Sequence, residues 1–394
     1  MEPVSAPPTT SWRLVLLLYL AGLGAAAQYG KVSVVFDRLQ GVWPEAGTGL
    51  GFALSLVGVV GIVLGVTAGI VVAKVRYRRA LLWALWAGAA LSAVQALLPP
   101  LPLFLALRVF EGMSHLALVV AIPTLIAQLS APGDRPFTLT LWGTFFGVAF
   151  TILVWGGIPF ADLTGLSGLF LAHAAWMAIM AAVLTLVLPR VQAQGPDDDL
   201  SVAGILRRHG TIYRSPRLSA PAIAWLSYTF TYVSLLTLLP PYIAPEWRAL
   251  VVGGMPLVSI ASSLTLGVWL LRRMSAVTVI ELGFASAAAA SLALVVVPGD
   301  PLLCFALAAG LGLVQGAGFA AVPELNAAIP DRAQANGALA QTGNIGNTLG
   351  PPVLLAVIGM AGYPAMMLVS AAVLAMGIVA QQALARRRAA AFRA

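Results

Sequence analysis

The sequence contains about twelve apolar runs, each long enough to cross a lipid bilayer as a helix. A helix needs roughly 20 apolar residues to span about 30 Å of hydrocarbon. The chain is 60% hydrophobic and only 9% charged, whereas a soluble domain carries about 25% charged residues. These values exclude a soluble enzyme, and the unbroken runs exclude an outer-membrane barrel, whose strands alternate apolar and polar residues. We therefore predict an all-α membrane protein.

The apolar runs fall into two groups of six that a longer polar link separates. Pro and Gly residues stand where turns are expected, for example at Pro99-Pro100 and Pro298-Gly299. The predicted spans are 12–35, 48–73, 80–98, 102–127, 137–158, 166–189, 220–243, 250–271, 276–297, 302–326, 338–360 and 363–384. The predicted organisation is a tail (1–11), a first six-helix bundle (12–189), a linker (190–219), a second six-helix bundle (220–384) and a basic tail (385–394).

Basic residues are distributed unevenly between the two sides of the predicted membrane. Of the 22 Lys and Arg residues, 18 lie in segments that share a side with the termini, and only Arg38 and Arg248 lie in loops on the other side. Because cytoplasmic loops are rich in Lys and Arg, we expect both termini in the cytoplasm and the protein in the cytoplasmic (inner) membrane. The net charge of +8 follows from this distribution and does not indicate a nucleic-acid partner. The first run is too long for a signal-peptide core, so we expect it to be retained as the first span.

The second half of the sequence repeats features of the first half. Residues 109–112 read Val-Phe-Glu-Gly and residues 313–316 read Leu-Val-Gln-Gly, within the fourth and tenth spans. Each is followed by an Asp-Arg pair, at 134–135 and at 331–332, and then by a helix with regularly spaced glycines. Secondary transporters are commonly built from such repeats, with the substrate site between them near the bilayer midplane.

Two motifs carry a resemblance to the major facilitator superfamily. Arg108-Val-Phe-Glu-Gly112 matches the Arg-x-x-x-Gly signature of that family's fourth span. The link between the second and third spans keeps the family's glycine and basic cluster, but Ala73 stands where the family has an acidic residue. The segment from the fourth to the fifth span is also faintly similar to the cyanate-permease-like branch. The resemblance implies two six-helix bundles related by pseudo-two-fold symmetry, alternating access between them, and an inner gate. The gate residues that it implies are Gly69, Lys74, Arg76, Arg78 and Arg79.

Ionisable residues inside the spans are few, and three of them share one helical face. Arg108, Glu111 and His115 stand at i, i+3 and i+7 of the fourth span. Since buried charges in a membrane are costly, such residues usually face a cavity or a partner. We expect Arg108 to bind substrate through its planar donor fork, and Glu111 or His115 to carry a coupling proton. The structural alternative is an Arg–Glu pair that braces the bundle, with His115 bonded to the backbone.

The first span offers a second set of polar residues. Gln28 and Lys31 share a helical face, and the family resemblance places the first span beside the fourth at the cavity. We therefore expect Lys31 near Arg108 or Glu111, as a substrate ligand together with Gln28. The alternative is a lysine that extends to the outer membrane surface.

Uncharged residues of the second half complete the predicted substrate site. Tyr228 and Tyr232 lie one turn apart in the seventh span and are suited to stacking on a planar solute. Gln315 replaces Glu111 in the repeat, and Asn344 adds an amide in the eleventh span. The alternative for these residues is interhelical packing and hydrogen bonding.

A metal site is a less favoured interpretation of the Met and His residues. Met113, His115, His173, Met177 and Met180 carry the soft donors that suit copper. The family resemblance places the sixth span, which holds three of them, at the periphery, and Met packs well in any bundle. No nucleotide-binding loop or metal-binding Cys pair is present in the sequence. We predict no metal and no cofactor.

Together these features predict a proton-coupled secondary active transporter of a small polar solute rather than an enzyme. Lys31 and Arg108 favour an anion, and the lack of a drug-antiporter Gly-Pro pattern in the fifth span favours uptake. The alternatives are efflux of hydrophobic or aromatic compounds, metal uptake, and an intramembrane enzyme or a sensor. The expected partners are a small-molecule substrate, protons and the lipid bilayer. We expect no nucleic-acid partner and a functional monomer.

Overall fold

The computed structural model describes residues 9–189 and 202–393, and within these ranges the regular structure is helical, with no strand. Most of the predicted N-terminal tail and residues 190–201 of the predicted linker lie outside the described residues. The helices are α1 (Trp12–Ser33), α2 (Phe36–Val42), α3 (Phe52–Val75), α4 (Tyr77–Gln95), α5 (Leu101–Leu129), α6 (Arg135–Gly143), α7 (Phe145–Ile152), α8 (Ile158–Val187), α9 (Val202–Arg214), α10 (Ser219–Leu238), α11 (Pro245–Ser262), α12 (Val268–Leu271), α13 (Ala276–Val296), α14 (Pro301–Leu325) and α15 (Ile329–Arg393).

The helices provide the twelve predicted crossings. Eight helical runs are long and apolar enough to cross a bilayer. Two of them, Phe145–Val187 and Ile329–Ala390, contain 43 and 62 residues and are long enough for two crossings each. The third and seventh spans, α4 and α10, are more polar, because α4 begins with two arginines and α10 carries Ser, Thr and Tyr. The predicted all-α fold of twelve transmembrane helices is confirmed.

A glycine divides each of the two longest runs. Gly165 separates the fifth and sixth spans with a φ of 76°, and Gly362 separates the eleventh and twelfth spans with a φ of 75°. Positive φ values of this size favour glycine, because a β-carbon would crowd the backbone. The same break at corresponding positions in both halves agrees with the internal repeat.

Each half of the chain forms a helix bundle. The N-terminal bundle contains residues 12–187 and the C-terminal bundle residues 219–393. We call the side on which α1 begins and α15 ends the proximal side, and the opposite side the distal side. The C-terminal bundle has a buried core of its own, whereas the core of the N-terminal bundle continues into Ala335 and Leu339 of the eleventh span. The two bundles are therefore joined by a packed contact.

The second and eleventh spans form this contact, which we call the seam. Gly65 and Gly69 stand one turn apart on α3 and face the first part of α15. A β-carbon at Gly65 would lie 2.5 Å from Cβ of Gln341, and one at Gly69 would lie 2.8 Å from the carbonyl oxygen of Ala333. Only glycine permits this approach, so the sequence of the second span sets how closely the bundles meet.

Polar contacts close the seam at its proximal end. The hydroxyl of Tyr77 donates to the carbonyl oxygen of Ile329 at 3.1 Å, and Nδ2 of Asn336 donates to Oγ1 of Thr124 at 3.0 Å. Both hydrogen bonds cross between the bundles. The structure is therefore closed on the proximal side.

The eleventh span begins at Ile329, earlier than the predicted 338. Polar residues at 331–336 led to the prediction of a loop, but the structure places them inside the closed proximal contact. Nε of Arg332 donates to the carbonyl oxygen of Asn326 at 3.0 Å, and Asn336 reaches the other bundle. The donors of Arg332 and Asn336 thus find protein acceptors inside the contact, and the helix continues through them.

The linker helix α9 packs against the seam. Ile212 is fully buried, and the hydroxyl of Tyr213 donates to Oε1 of Gln341 at 2.6 Å. Nε2 of Gln341 in turn donates to the carbonyl oxygen of Ile62 at 2.6 Å. Burial raises the pKa of Tyr213 to about 12, so its hydroxyl remains a donor at neutral pH. The linker thus takes part in the closed proximal arrangement.

Candidate functional site

Three charged side chains meet inside the N-terminal bundle, and all three are fully buried. Glu111 pairs with Arg108 of the same span and with Lys31 of the first span, whose Nζ lies 2.6 Å from Oε1 of Glu111. We call Lys31, Arg108 and Glu111 the charged cluster. The i, i+3 spacing places Arg108 and Glu111 side by side, and the first span brings Lys31 to them. Their roles in transport stay predictions.

Arg108 is held by backbone carbonyls as well as by Glu111. Its Nε donates to the carbonyl oxygen of Ala53 and its Nη1 to that of Gln28, both at 2.7 Å. Oε2 of Glu111 also accepts from Nε2 of Gln95 at 2.7 Å. The guanidinium therefore joins the first, second and fourth spans, as the structural alternative expects of a brace.

Lys31 points into the N-terminal bundle rather than to the membrane surface. Its Nζ donates to Oγ of Ser92 at 2.7 Å and lies 3.2 Å from Nδ1 of His173. It also lies over the ring of Phe170, 5.1 Å from the centroid. These partners belong to the third and sixth spans, on the side of the first span away from the C-terminal bundle.

The charged cluster contains two cations and one carboxylate. Burying such groups costs free energy unless polar partners satisfy them. Ser92, Gln95 and His173 provide partners for Lys31 and Glu111, whereas Nη2 of Arg108 is buried without one among the described residues. In a medium of low dielectric constant, the gain or loss of one charge strongly changes the electrostatic energy of such a cluster. A change in the charge of any member would therefore disturb the contacts of the other two.

Gln28 and His115 are also held within the N-terminal bundle. Nε2 of Gln28 donates to Oγ of Ser114 at 3.0 Å, and Nδ1 of His115 lies 2.8 Å from the carbonyl oxygen of Ala25. The His115 ring packs edge-on against Tyr29, with centroids 5.0 Å apart. His115 therefore lies beside Tyr29 and bonds to the backbone, as the structural alternative expects.

Tyr29 links the two bundles. Its hydroxyl donates to Oδ1 of Asn344 in the eleventh span at 2.8 Å. A β-carbon at Gly58 would lie 2.8 Å from this hydroxyl, so the second span leaves room for the contact. Nδ2 of Asn344 donates to the carbonyl oxygen of Ala340 at 2.8 Å, which orients the amide. Asn344 thus lies at the interface between the bundles.

Aromatic residues form a row that crosses this interface. The rings of Tyr228 and Tyr232 are stacked, with centroids 5.3 Å apart and an interplanar angle of 16°. Trp225 packs on Tyr228 at 4.8 Å, and Phe319 packs on Trp225 at 4.8 Å. Phe319 in turn lies edge-on to Trp142 of the N-terminal bundle at 6.2 Å. Tyr228 is buried between its neighbours and Tyr232 is partly exposed, so Tyr232 is the ring that can meet a solute.

Gln315 makes a further polar contact between the bundles. Its Nε2 donates to the carbonyl oxygen of Gly143 in the fifth span at 2.6 Å, and its Oε1 accepts from Oγ of Ser259 at 3.3 Å. Gln315 and Asn344 therefore both lie at the interface between the bundles.

The predicted gate residues lie on the proximal side. They are Gly69, Lys74, Arg76, Arg78 and Arg79. Gly69 contacts the other bundle across the seam. Arg78 instead donates to the carbonyl oxygens of Leu188 at 2.9 Å and Thr185 at 2.7 Å, at the end of the sixth span in its own bundle. Tyr77, which was not predicted, donates a cross-bundle hydrogen bond near these residues.

Several site residues were not predicted from the sequence. Ser92 and Gln95 stand at i and i+3 at the distal end of the third span, a polar face that could have indicated partners for the charged cluster. Gly61 and Gly65 continue the four-residue spacing of Gly69, which is typical of close helix contacts in membranes.

The copper interpretation rests on Met as well as His donors and stays an untested alternative. In the described part of the chain, no group of three or more His, Cys, Asp or Glu side chains could hold a metal ion. Both ring nitrogens of His173 are engaged, Nδ1 with Ser92 at 2.9 Å and Nε2 with the carbonyl oxygen of Gly24 at 3.0 Å.

A comparison with protein-family models matches residues 14–327 to the Major Facilitator Superfamily. The chain belongs to the Major Facilitator Superfamily. As a member of this superfamily it is a membrane transporter and not an enzyme. A search of curated proteins found no match.

Solved structures of Major Facilitator Superfamily transporters share the fold over nearly the whole chain. The E. coli fucose:proton symporter FucP, in its outward conformation, gives a TM-score of 0.75 at 18% identity, covering 94% of this chain and 98% of that one. The human organic anion transporter MFSD10 (TETRAN) gives 0.75 at 17% identity, covering 95% and 100%. The proton:xylose symporter XylE gives 0.71 at 13% identity, covering 93% and 94%. At these identities the likeness shows the fold alone.

Proposed function

We propose that the chain is a proton-coupled uptake transporter of a small polar solute that works by alternating access between its two bundles. The observation that carries this proposal is the charged cluster, whose three ionisable groups are fully buried beside the interface residue Tyr29. Ionisable residues inside a membrane commonly mark proton or ion pathways. Glu111 is our candidate for the proton-carrying group, because it is the carboxylate that both cations share, and His115 is the second candidate.

The proposed solute site lies between the bundles. Its residues are Tyr29, His115, Tyr232, Gln315 and Asn344. These groups are hydrogen-bonding and aromatic, whereas Arg108, Lys31 and Gln28 are engaged inside the N-terminal bundle. We therefore assign the latter three to coupling and propose an uncharged polar solute with a flat face. An anion is the second candidate, because the charged cluster carries an excess of positive charge.

We assign the proximal side to the cytoplasm and the protein to the inner membrane. This assignment rests on the concentration of Lys and Arg on that side. Both bundles and the cross-bundle contacts belong to one chain, so we propose the monomer as the functional unit.

A ligand screen on the purified protein tests the proposed site. The similar structures suggest two classes of probe, neutral sugars and organic anions. We choose L-fucose and D-xylose for the first class, and benzoate and pyruvate for the second. A ligand that binds only the native state raises the unfolding temperature. We expect one of these classes of ligand to raise the unfolding temperature of the parent protein. Asn344→Ala and Tyr232→Ala should each abolish this rise. Asn326→Ala is the control, since that side chain bonds within its own bundle at the proximal end. A shift that survives both site substitutions would place the solute elsewhere.

A further inference from the structure

We infer that Tyr29 is a positioning residue that transmits the protonation state of the charged cluster to the contact between the bundles. The inference rests on the proposed proton coupling. Tyr29 donates to Asn344 across the bundles at 2.8 Å, and its ring packs against His115 and Phe146 with centroids 5.0 and 5.7 Å apart. These contacts fix the phenol on the interface side of the first span.

The residues on either side of Tyr29 are tied to the charged cluster. The carbonyl oxygen of Gln28 accepts from Nη1 of Arg108 at 2.7 Å, and Nζ of Lys31 lies 2.6 Å from Oε1 of Glu111. Nη1 of Arg108 also contacts Glu111. Glu111 therefore holds residues 28–31, about one helical turn, through two links. The same turn carries the cluster on one face and the cross-bundle hydrogen bond on the other.

Protonation of Glu111 would remove the negative charge that pairs with Lys31 and Arg108. The titratable and charged groups around it are Lys31 on the first span, Arg108 and His115 on the fourth, and His173 on the sixth. The third span contributes uncharged Ser92 and Gln95. Without the carboxylate's charge, Lys31 and Arg108 become uncompensated cations in a buried site, which is strongly unfavourable. The ion pair that holds Lys31 is lost and Arg108 loses its counterion, so the turn at residues 28–31 shifts and Tyr29 withdraws from Asn344.

The direction of the effect follows from where the hydrogen bond lies. Asn344 is one turn beyond Gln341, which packs against Gly65 in the seam. The Tyr29–Asn344 bond therefore extends the contact that closes the proximal side. Its loss weakens that contact, so protonation of Glu111 favours opening of the proximal side. In proton-coupled uptake the proton and the solute leave on the proximal side, so the direction of this effect agrees with uptake.

Two tyrosines on the first span allow a matched test. Tyr29→Phe removes one hydroxyl and keeps the ring. Tyr19→Phe does the same where the hydroxyl lies 2.9 Å from Oγ1 of Thr144, in the same bundle.

Spin labels at Arg13→Cys and Arg272→Cys report opening in the reconstituted full chain, because both positions are exposed on the proximal side and lie on different bundles. The native Cys304 is buried. The distance distribution is measured at acidic and mildly alkaline pH, without solute.

We expect acidic pH to increase the long-distance population in the labelled parent protein and in Tyr19→Phe. Tyr29→Phe should raise the open-to-closed ratio about two- to tenfold already at alkaline pH, as expected for one neutral hydrogen bond, and should respond less to pH. Asn344→Ala, which removes the other partner, should behave in the same way. A normal pH response in both variants would overturn the inference and leave the proton coupling standing. A parent protein that does not respond to pH would overturn the coupling, and the inference with it.

Discussion

At the scale of single residues, charge balance distinguishes the members of the charged cluster. Glu111→Gln leaves Lys31 and Arg108 buried without a counterion, whereas Lys31→Met leaves a balanced Arg108–Glu111 pair. Removing one partner of a buried ion pair typically costs about 3–5 kcal/mol. We expect Glu111→Gln to lower the free energy of unfolding by an amount in this range and Lys31→Met to cost clearly less, measured by thermal or denaturant unfolding in detergent. A larger loss for Lys31→Met would contradict the charge balance described here.

Helical spacing predicted part of the candidate site and could not predict the rest. It placed Arg108, Glu111 and His115 on one face, and the structure shows that Arg108 and Glu111 meet while His115 bonds to Ala25. Spacing within one helix does not say which other helix packs against that face. The partners of Lys31 on the third and sixth spans, Ser92 and His173, therefore could not be read from periodicity.

At the scale of helices, the seam depends on small residues of the second span. Gly65→Ala would place a β-carbon 2.5 Å from Cβ and 2.9 Å from Cα of Gln341, so the backbones must separate. We expect this substitution to increase the open population on the proximal side, measured with the label pair at positions 13 and 272. Gly156→Ala is the matched control within the fifth span, because its β-carbon would meet nothing within 4 Å. If Gly65→Ala and Gly156→Ala have the same open population, the close packing of helices at the seam does not control closure of the proximal side.

Helix positions were predicted well where apolar runs are bounded by Pro and Gly, as at Pro99-Pro100. The start of the eleventh span was predicted nine residues late, at 338 instead of Ile329. Hydropathy treats Arg332 and Asn336 as solvent-exposed, whereas in the fold Arg332 donates to a backbone carbonyl and Asn336 donates to Thr124 across the bundles. A prediction from hydropathy does not include the hydrogen-bond partners that tertiary packing provides.

At the scale of the whole molecule, the number of spans follows from length and hydropathy, but the closed proximal side does not. Twelve apolar runs and a repeat are compatible with any stage of a transport cycle. The closure rests on particular contacts, such as Tyr77 with Ile329 and Tyr29 with Asn344. Each of these contacts joins residues that are far apart in the chain. Tyr77 and Ile329, for example, are separated by 252 positions.

The assignment of the proximal side to the cytoplasm has a direct test. Trp247 and Arg272 have exposed side chains on the distal and proximal sides of the eighth span. In intact cells, a membrane-impermeant thiol reagent should label Trp247→Cys and should label Arg272→Cys only after the membrane is opened. The reverse pattern would invert the orientation and the proposed direction of transport.

The most direct measurement of the central claim is solute-driven proton movement by the purified protein in liposomes. Adding the solute identified in the ligand screen should make the external medium more alkaline, and a protonophore should abolish solute accumulation. Because an amide mimics the protonated acid, Glu111→Gln should retain exchange of solute between the two sides but lose the alkalinisation. Solute accumulation without proton movement, or unchanged alkalinisation in Glu111→Gln, would contradict proton coupling through the charged cluster.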